Sequence, residues 1–142
     1  MGDGGTMSTR FTDVARPDSL CIRVIYTPKK DGWGGVYWQF PANNWCQKDG
    51  LNLSVCSKLT FYVKGETGME NVKFKIGHDC GSDTYVQNPP LTQTLTTSWQ
   101  KITLDLKGKD LSNITGAFAW IVDSQANQGK TITFYLDDIQ FE

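Results

Sequence analysis

Residues 58–77 read "KLTFYVKGETGMENVKFKIG" and contain two alternating segments separated by a glycine-rich turn. Polar residues fill most of the positions between the apolar ones. The apolar residues, at every second position, are Leu59, Phe61, Val63, Val72, Phe74 and Ile76. Alternation of this kind places all the apolar side chains on one face of a β-strand. The stretch therefore predicts two half-buried strands, with "GETGME" as a hairpin turn between them.

The same pattern recurs along the chain, for example in "QKITLDLK" (residues 100–107) and "GGVYWQF" (residues 34–40). Turn-forming clusters such as "KKDG", "QKDG", "LKGKD" and "NQGK" separate the segments, so short strands replace any long helical pattern. Nine or ten strands without crossover helices imply antiparallel pairing. We therefore expect an all-β fold: an antiparallel two-sheet β-sandwich of the jelly-roll type.

Size and charge narrow the classes of function. A chain of 142 residues is the usual size of one domain, so we expect residues 1–142 to form a single domain. The 14 Lys and Arg residues against 15 Asp and Glu residues leave no basic stripe for nucleic acid. No apolar run approaches the roughly 18 residues of a membrane span, and "MGDGGTMSTR" lacks the layout of a signal peptide.

The C-terminal stretch "TITFYLDDIQFE" (residues 131–142) changes the phase of its own alternation. The slip falls at Asp137 and Asp138, between two sets of apolar positions: Ile132, Phe134 and Leu136, then Ile139 and Phe141. A slip of one residue is typical of a β-bulge, which would turn one of the two carboxylates inward.

An inward carboxylate needs a compensating charge, because an isolated buried charge is costly. A structural calcium ion can supply that charge through oxygen ligands from Asp137 and Asp138, with Asp3 and Asp13 as further ligands near the N-terminus. The alternative is that both acids lie on a solvated strand end or edge, where no ion is needed.

Four cysteines, Cys21, Cys46, Cys56 and Cys80, follow no zinc-binding spacing, and His78 is the only histidine. As an even set they allow two disulfides in three connectivities, and the sequence favours Cys46 with Cys56 across the turn "QKDG". Four free thiols are the other possibility.

Residues 31–45, "DGWGGVYWQFPANNW", concentrate aromatic and amide side chains. An indole face packs on the C–H face of a sugar ring, and amides match hydroxyls that both donate and accept. The stretch therefore predicts a site for a neutral polysaccharide, with Trp33 and Trp45 in loops flanking the strand. Trp99 and Trp120 are expected in the core, whereas Trp38 fits either environment equally.

Catalytic groups are not indicated. The three glutamates, Glu66, Glu70 and Glu142, form no strand-borne pair of the glycosidase type. The segment "GHDCGSD" (residues 77–83) gathers chemically versatile residues without a nucleophile-elbow or phosphate-binding motif. We interpret it as a polar loop at the rim of a ligand site, with Asp79 and Asp83 as alternative calcium ligands.

The stretches "CIRVIYTP", "GWGGVYWQFPANNW", "SWQKITLDLKGKDLSNITGAFAWIVD" and, most clearly, "FYLDDI" resemble the galactose-binding-like β-sandwich domains that include many carbohydrate-binding modules. The resemblance, which covers nearly the whole chain, implies a jelly roll with a structural calcium far from the ligand, held first by Asp137. It also implies glycan binding without catalysis. Such modules typically belong to larger multidomain proteins secreted or displayed by bacteria and archaea, so the resemblance implies an extracellular or cell-surface location.

The leading hypothesis is thus a non-catalytic module that binds a polysaccharide or oligosaccharide through Trp33, Tyr37, Gln39, Asn43, Asn44 and Trp45, with His78, Asp83 and Tyr85 contributing from a neighbouring loop. The alternative is a structural or protein-interaction sandwich whose aromatic residues form its core. Exposure of Trp33 and Trp45 distinguishes the two, because rings that stack on a ligand must be accessible.

Overall fold

The computed structural model describes residues 5–12 and 20–142, and these ranges contain nine β-strands. The strands are β1 (Gly5–Thr12), β2 (Leu20–Tyr26), β3 (Trp33–Gln39), β4 (Lys58–Gly65), β5 (Asn71–Lys75), β6 (Leu91–Thr94), β7 (Gln100–Asp105), β8 (Gly116–Asp123) and β9 (Ile132–Phe141). Within these ranges, no helix is long and apolar enough to cross a membrane.

The strands form two antiparallel sheets that pack face to face. One sheet has the order β1-β2-β9-β4-β7 and the other the order β3-β8-β5-β6. The predicted all-β, two-sheet antiparallel jelly roll of the galactose-binding-like kind is confirmed. Most consecutive strands lie in opposite sheets, so the chain repeatedly crosses from one layer to the other.

The predicted hairpin at residues 65–70 is wrong, because β4 and β5 belong to different sheets. The turn instead carries the chain across the sandwich, and the carboxylate of Glu70 stabilises it. One oxygen of Glu70 accepts hydrogen bonds from the backbone N–H and the hydroxyl of Thr67, at 2.7 and 2.8 Å. Alternation defines the buried face of a strand but not its pairing partner, which explains the error.

The core lies between the sheets and is rich in aromatic rings. Phe61 and Phe74 have ring centroids 4.7 Å apart, and Phe118 lies 5.1 Å from Phe61. Trp120 is fully buried, 5.4 Å from the ring of Phe134, as predicted. These edge-to-face and tilted arrangements are the favoured geometries of packed aromatic rings.

The two half-buried tryptophans, Trp38 and Trp99, have different surroundings. Trp38 packs against the core 5.3 Å from Phe118, which settles its placement. Trp99 is half-buried outside the core cluster, with the ammonium group of Lys64 5.8 Å from its ring. The expectation that Trp99 belongs to the core is therefore wrong, because β7 begins one residue later and leaves the ring at the margin of the sheet.

The predicted β-bulge lies at Asp137 and Asp138. Tyr62 pairs with Asp137 but Thr60 pairs with Gln140, so β9 contains one residue more than β4 between the two pairs. Asp138 has a φ of 48°, Asp137 is half-buried and Asp138 is exposed. The bulge explains the phase change of the sequence, because the extra residue returns the following apolar side chains to the core side.

The expected calcium ligands are only partly covered by the described residues. Asp3 and Asp13 lie outside them. Within the described ranges, Asp137 and Asp138 do not gather with a third acidic, histidine or cysteine side chain. The calcium site therefore stays a prediction.

Candidate functional site

Strand β3 presents two aromatic side chains on the outer face of the four-stranded sheet. Val36 and Trp38 pack against the core, so the alternate residues Trp33 and Tyr37 point outward. Trp33 is 49% exposed and is the first residue of β3, not a loop residue as predicted. It enters the strand because it pairs with Asp123 at the end of β8.

Lysine and aspartate pairs lie beside these rings on the same face. Lys73 of β5 is 3.1 Å from Asp123, and Lys75 is 2.7 Å from Asp79. The pKa of Asp123 is lowered, first by the hydrogen bond from the backbone N–H of Ala126 and then by Lys73, against the opposing effect of burial. Both lysines are thus paired with a carboxylate, and the face carries little uncompensated charge at this position.

A cluster of three rings forms at the other end of β3. The ring centroid of Tyr37 lies 4.7 Å from that of His78, and Trp45 meets His78 edge-on at 5.2 Å. Trp45 is 59% exposed, so its indole is accessible from solvent. Gly116 allows this close approach, because a Cβ on it would lie 3.3 Å from Tyr37 and 3.2 Å from His78.

The loop that carries Trp45 is organised by Asn44. Its amide nitrogen donates to the carbonyl oxygens of Phe40 and Lys48, at 2.9 and 2.8 Å, and its oxygen accepts from the backbone N–H groups of Gln47 and Lys48. Asn44 is only 4% exposed. The structure therefore places Asn44 beneath the site as a support of the loop, and not on the ligand-facing surface that the sequence predicted.

Asp83 is likewise used inside the protein. Its carboxylate accepts hydrogen bonds from the backbone N–H groups of His78, Thr115 and Gly116 and from the Thr115 hydroxyl. Burial raises the pKa of Asp83, but the bonds from Thr115, His78 and Gly116 outweigh burial and leave the pKa below its ordinary value. Asp83 fixes the loop of His78 in place and does not point toward a ligand.

Tyr85 does not join the ring cluster. It packs against the hydrophobic core, and the ammonium group of Lys109 lies 5.3 Å from its ring. Its predicted role in the site followed from its closeness to His78 in sequence, but the chain between them turns back toward the core.

A disulfide joins Cys46 to Cys80, across 34 residues of sequence. The favoured pairing of Cys46 with Cys56 is wrong, and so is the alternative of four free thiols. Cys56 is half-buried and Cys21 is buried, and neither takes part in this disulfide. The bond forms where the loop of Trp45 meets the loop of His78, a contact that only the folded sheet creates.

An open groove of about 280 Å³ runs along the exposed edge of β3. Three of the predicted residues line it, Tyr37, Gln39 and Asn43, together with Met7, Val36, Trp38 and Ala42. The amide nitrogen of Gln39 is buried and has no hydrogen-bond partner within the described part of the chain. Buried polar atoms of native proteins usually have a hydrogen-bond partner, which can be an ordered water.

Of the nine predicted site residues, Asn44, Asp83 and Tyr85 are used inside the protein, and the other six fall into two groups. Tyr37, Gln39, Asn43, Trp45 and His78 lie together around one end of β3. Trp33 lies on the same face, four residues from Tyr37 along the strand, which corresponds to roughly 13 Å. Sequence reasoning missed further polar residues on this side of the sheet, the buried Lys75 together with Lys73 and Asp123, although the alternation of β5 marked the two lysines.

The sequence matches the family model described as carbohydrate binding domain 30 over residues 4–142. No curated protein sequence matches the chain.

Solved structures of other carbohydrate-binding modules share the fold. The family 11 module of Clostridium thermocellum, in complex with a β-1,3-1,4-mixed-linked tetrasaccharide, is 20% identical with a TM-score of 0.64, and the match covers 99% of this chain and 84% of that chain. The family 30 module of a cellulosomal cellulase of the same organism is 19% identical with a TM-score of 0.60, covering 100% and 83%. Because the family model spans nearly every residue, the chain belongs to the carbohydrate binding domain 30 family.

Proposed function

We propose that this chain is a non-catalytic module that binds a neutral polysaccharide along the outer face of the sheet β3-β8-β5-β6 and the adjoining loop of residues 40–49. The observation that carries the proposal is the exposure of two indoles, Trp33 and Trp45, on the same side of the molecule as Tyr37. Membership of a carbohydrate-binding family supports it.

The chemistry of these side chains suits sugar rings. The faces of Trp33, Tyr37 and Trp45 offer flat apolar surface to the C–H faces of pyranose units. Gln39 and Asn43 offer amide donors and acceptors to hydroxyl groups. Asn44 and Asp83 contribute indirectly, because they hold the loops that carry these rings.

A neutral ligand agrees with the electrostatics of the face. Lys73 and Lys75 are both neutralised by nearby carboxylates, so an acidic glycan would have to compete with Asp123 and Asp79 for them. The Lys75 side chain is buried, but a hydroxyl-rich neutral chain can accept a hydrogen bond from the Lys73 ammonium group and donate to the carboxylates without breaking either pair.

Binding without catalysis fits the contacts around the histidine. Asp83 accepts a hydrogen bond from the backbone N–H of His78 and not from its imidazole, so the pair lacks the arrangement of a catalytic triad. The nitrogens of the imidazole have no hydrogen-bond partner within the described residues. The exposed indoles favour glycan binding over the protein-interaction alternative.

We also propose that the module works outside the cell as part of a larger protein that handles polysaccharides. One similar structure is a module of a cellulosomal cellulase, which supports this setting. An antibody to the module would detect the full-length native protein in a culture supernatant. Its presence there tests the location, and its size tests whether it is larger than the module.

A structural calcium ion at the β9 bulge is part of the proposal. Asp137 and Asp138 supply the carboxylate oxygens that calcium prefers, with Asp3 as the expected third ligand. Calcium binding should raise the melting temperature of the protein, and Asp137→Asn should remove that increase. A melting temperature that is equal in calcium and in EDTA would refute the site.

Affinity gel electrophoresis against soluble polysaccharides tests the function. The panel should include mixed-linkage β-glucan, hydroxyethylcellulose, xylan, mannan and acidic pectate. We expect retardation by a neutral glycan, and about tenfold weaker binding in Trp33→Ala and Trp45→Ala. Trp99→Ala is the matched control, because Trp99 is half-buried beside Lys64 of the other sheet. Absence of retardation by every polysaccharide, with folded protein, would favour the protein-interaction alternative.

A further inference from the structure

We propose that the Cys46–Cys80 disulfide positions Trp45 for glycan binding, so that reduction of this bond weakens binding while the sandwich stays folded. The inference rests on the proposed function, and it adds a covalent element that neither the family match nor the sequence pattern assigns. Cys46 and Cys80 act as positioning residues, because they affect the ligand only through the neighbouring rings.

The bond connects the two loops that supply the exposed ring cluster. Cys46 directly follows Trp45, and Cys80 lies two residues after His78. Trp45 and His78 touch edge-on, with ring centroids 5.2 Å apart. The disulfide therefore ties together the two segments whose rings must meet.

Few contacts hold the indole of Trp45 in its place within the part of the chain that the structure describes. Trp45 is 59% exposed, and its backbone N–H, not its indole, donates a hydrogen bond to the carbonyl oxygen of Asn43 in the same loop, at 3.2 Å. Asn44 holds the loop on itself, through hydrogen bonds to Phe40 before Trp45 and to Gln47 and Lys48 after it. These bonds stay within the loop, whereas the disulfide attaches the loop covalently to the segment of His78.

The backbone at Cys46 strengthens this reasoning. Its φ is 61°, in the left-handed region that a residue with a side chain rarely adopts. Such a conformation persists where surrounding contacts impose it, and the bond to Cys80 is one of them. Once the bond is broken, Cys46 is free to return to a common backbone conformation, which rotates the peptide next to Trp45.

The bond is accessible to chemical reduction, because Cys80 is exposed at the surface. A dithiol reductant attacks one sulfur to form a mixed disulfide and then closes on itself. Two electrons and two protons pass to the protein, which gains two thiols, while the reductant becomes a cyclic disulfide. Cys21 and Cys56 are outside this disulfide and do not change.

The experiment compares glycan affinity before and after reduction, with the polysaccharide that retards the oxidised protein. Thiol alkylation in denaturant followed by mass measurement confirms that reduction releases two further thiols. A chelator is present throughout, because the sulfurs of Cys46 and Cys80 and a nitrogen of His78 lie within 4.8 Å and would take up trace metal. We expect about tenfold weaker binding on reduction, equivalent to about 1.4 kcal/mol.

Variants separate positioning from a general effect on folding. Cys46→Ser and Cys80→Ser should match the reduced protein and no longer respond to reductant, whereas Cys56→Ser should behave as the wild type. In Trp45→Ala, reduction should have no further effect on affinity. Far-UV circular dichroism should remain that of the folded sandwich in all of them.

The outcomes are distinct. Equal binding by fully reduced and oxidised protein would overturn the inference and leave the proposed function intact. The inference also fails if reduction weakens glycan binding by Trp45→Ala as much as by the wild type. It fails likewise if glycan binding is lost only because the protein unfolds. Failure of the oxidised wild type to bind any polysaccharide would reject the proposed function itself, and the inference with it.

Discussion

Replacement of Asp83 by asparagine tests how the loop of His78 is held. The carboxylate accepts hydrogen bonds from three backbone N–H groups, of His78, Thr115 and Gly116, and from the Thr115 hydroxyl. Asparagine has nearly the same shape but turns one acceptor oxygen into a donor that faces N–H donors. Bonds to a charged group contribute about 1.5–3 kcal/mol each, and they are not additive. We expect Asp83→Asn to lower the free energy of unfolding by about 3 kcal/mol.

The same residue predicts a dependence on pH. The pKa of Asp83 in the folded protein lies below its ordinary value of 3.8, because the hydrogen bonds outweigh burial. Its contribution to stability is therefore fully present above the unfolded pKa and is lost as the pH falls through the folded pKa. Urea unfolding at pH 7, and at several values from about pH 5 downward, measures both effects.

Asp110→Asn is the matched control. Its pKa is also lowered, first by the hydrogen bond from the Ser112 hydroxyl, but the carboxylate is exposed, and its hydrogen bonds to described residues stay within its own turn. We expect its unfolding free energy to stay close to that of the wild type. An unfolding free energy of Asp83→Asn within about 1 kcal/mol of the wild-type value would refute the role assigned to Asp83. The same holds if Asp83→Asn loses as much stability at low pH as the wild type does.

Three further predictions concern the core, a turn and the ligand. Trp120→Ala should lower the free energy of unfolding in urea by about 3–5 kcal/mol, because it empties a fully buried site. Trp45→Ala should lower it by about 0.5 kcal/mol or less, and similar losses for the two variants would contradict the assigned burial. Gly77→Ala should destabilise the protein by about 3 kcal/mol, since φ is 89° and a Cβ would lie 2.2 Å from the Tyr85 carbonyl oxygen. A melting temperature close to that of the wild type would argue against this. Glycan affinity should be nearly unchanged between low and high salt, since a neutral ligand is not screened; a steep decrease in calorimetric affinity would indicate an acidic ligand.

Much of the fold could be read from alternation alone. The segments of residues 58–64, 71–77 and 100–107 became β4, β5 and β7, and the phase change at Asp137 located a bulge in β9. Exposure of Trp33 and Trp45 was also predicted correctly. These features depend on the order of neighbouring residues, because a strand directs successive side chains to opposite faces.

The candidate site was less predictable, because its members depend on contacts between distant loops. Asn44 and Asp83 carry the right functional groups for a ligand site, yet the folded chain uses both for its own backbone. Lys73 and Lys75 lie on the face of the rings because β5 pairs with β8, which no local pattern indicated.

By itself, the sequence determined that the chain is a sandwich of short antiparallel strands with more aromatic rings than its core requires. Only the tertiary structure decided that β4 and β5 lie in different sheets, that Cys46 pairs with Cys80 and that Trp33 stands apart from Trp45. The physical reason is the range of each interaction. The burial of a face follows from a period of two residues, whereas strand partners, disulfides and loop contacts form between segments that only the completed sheets bring together.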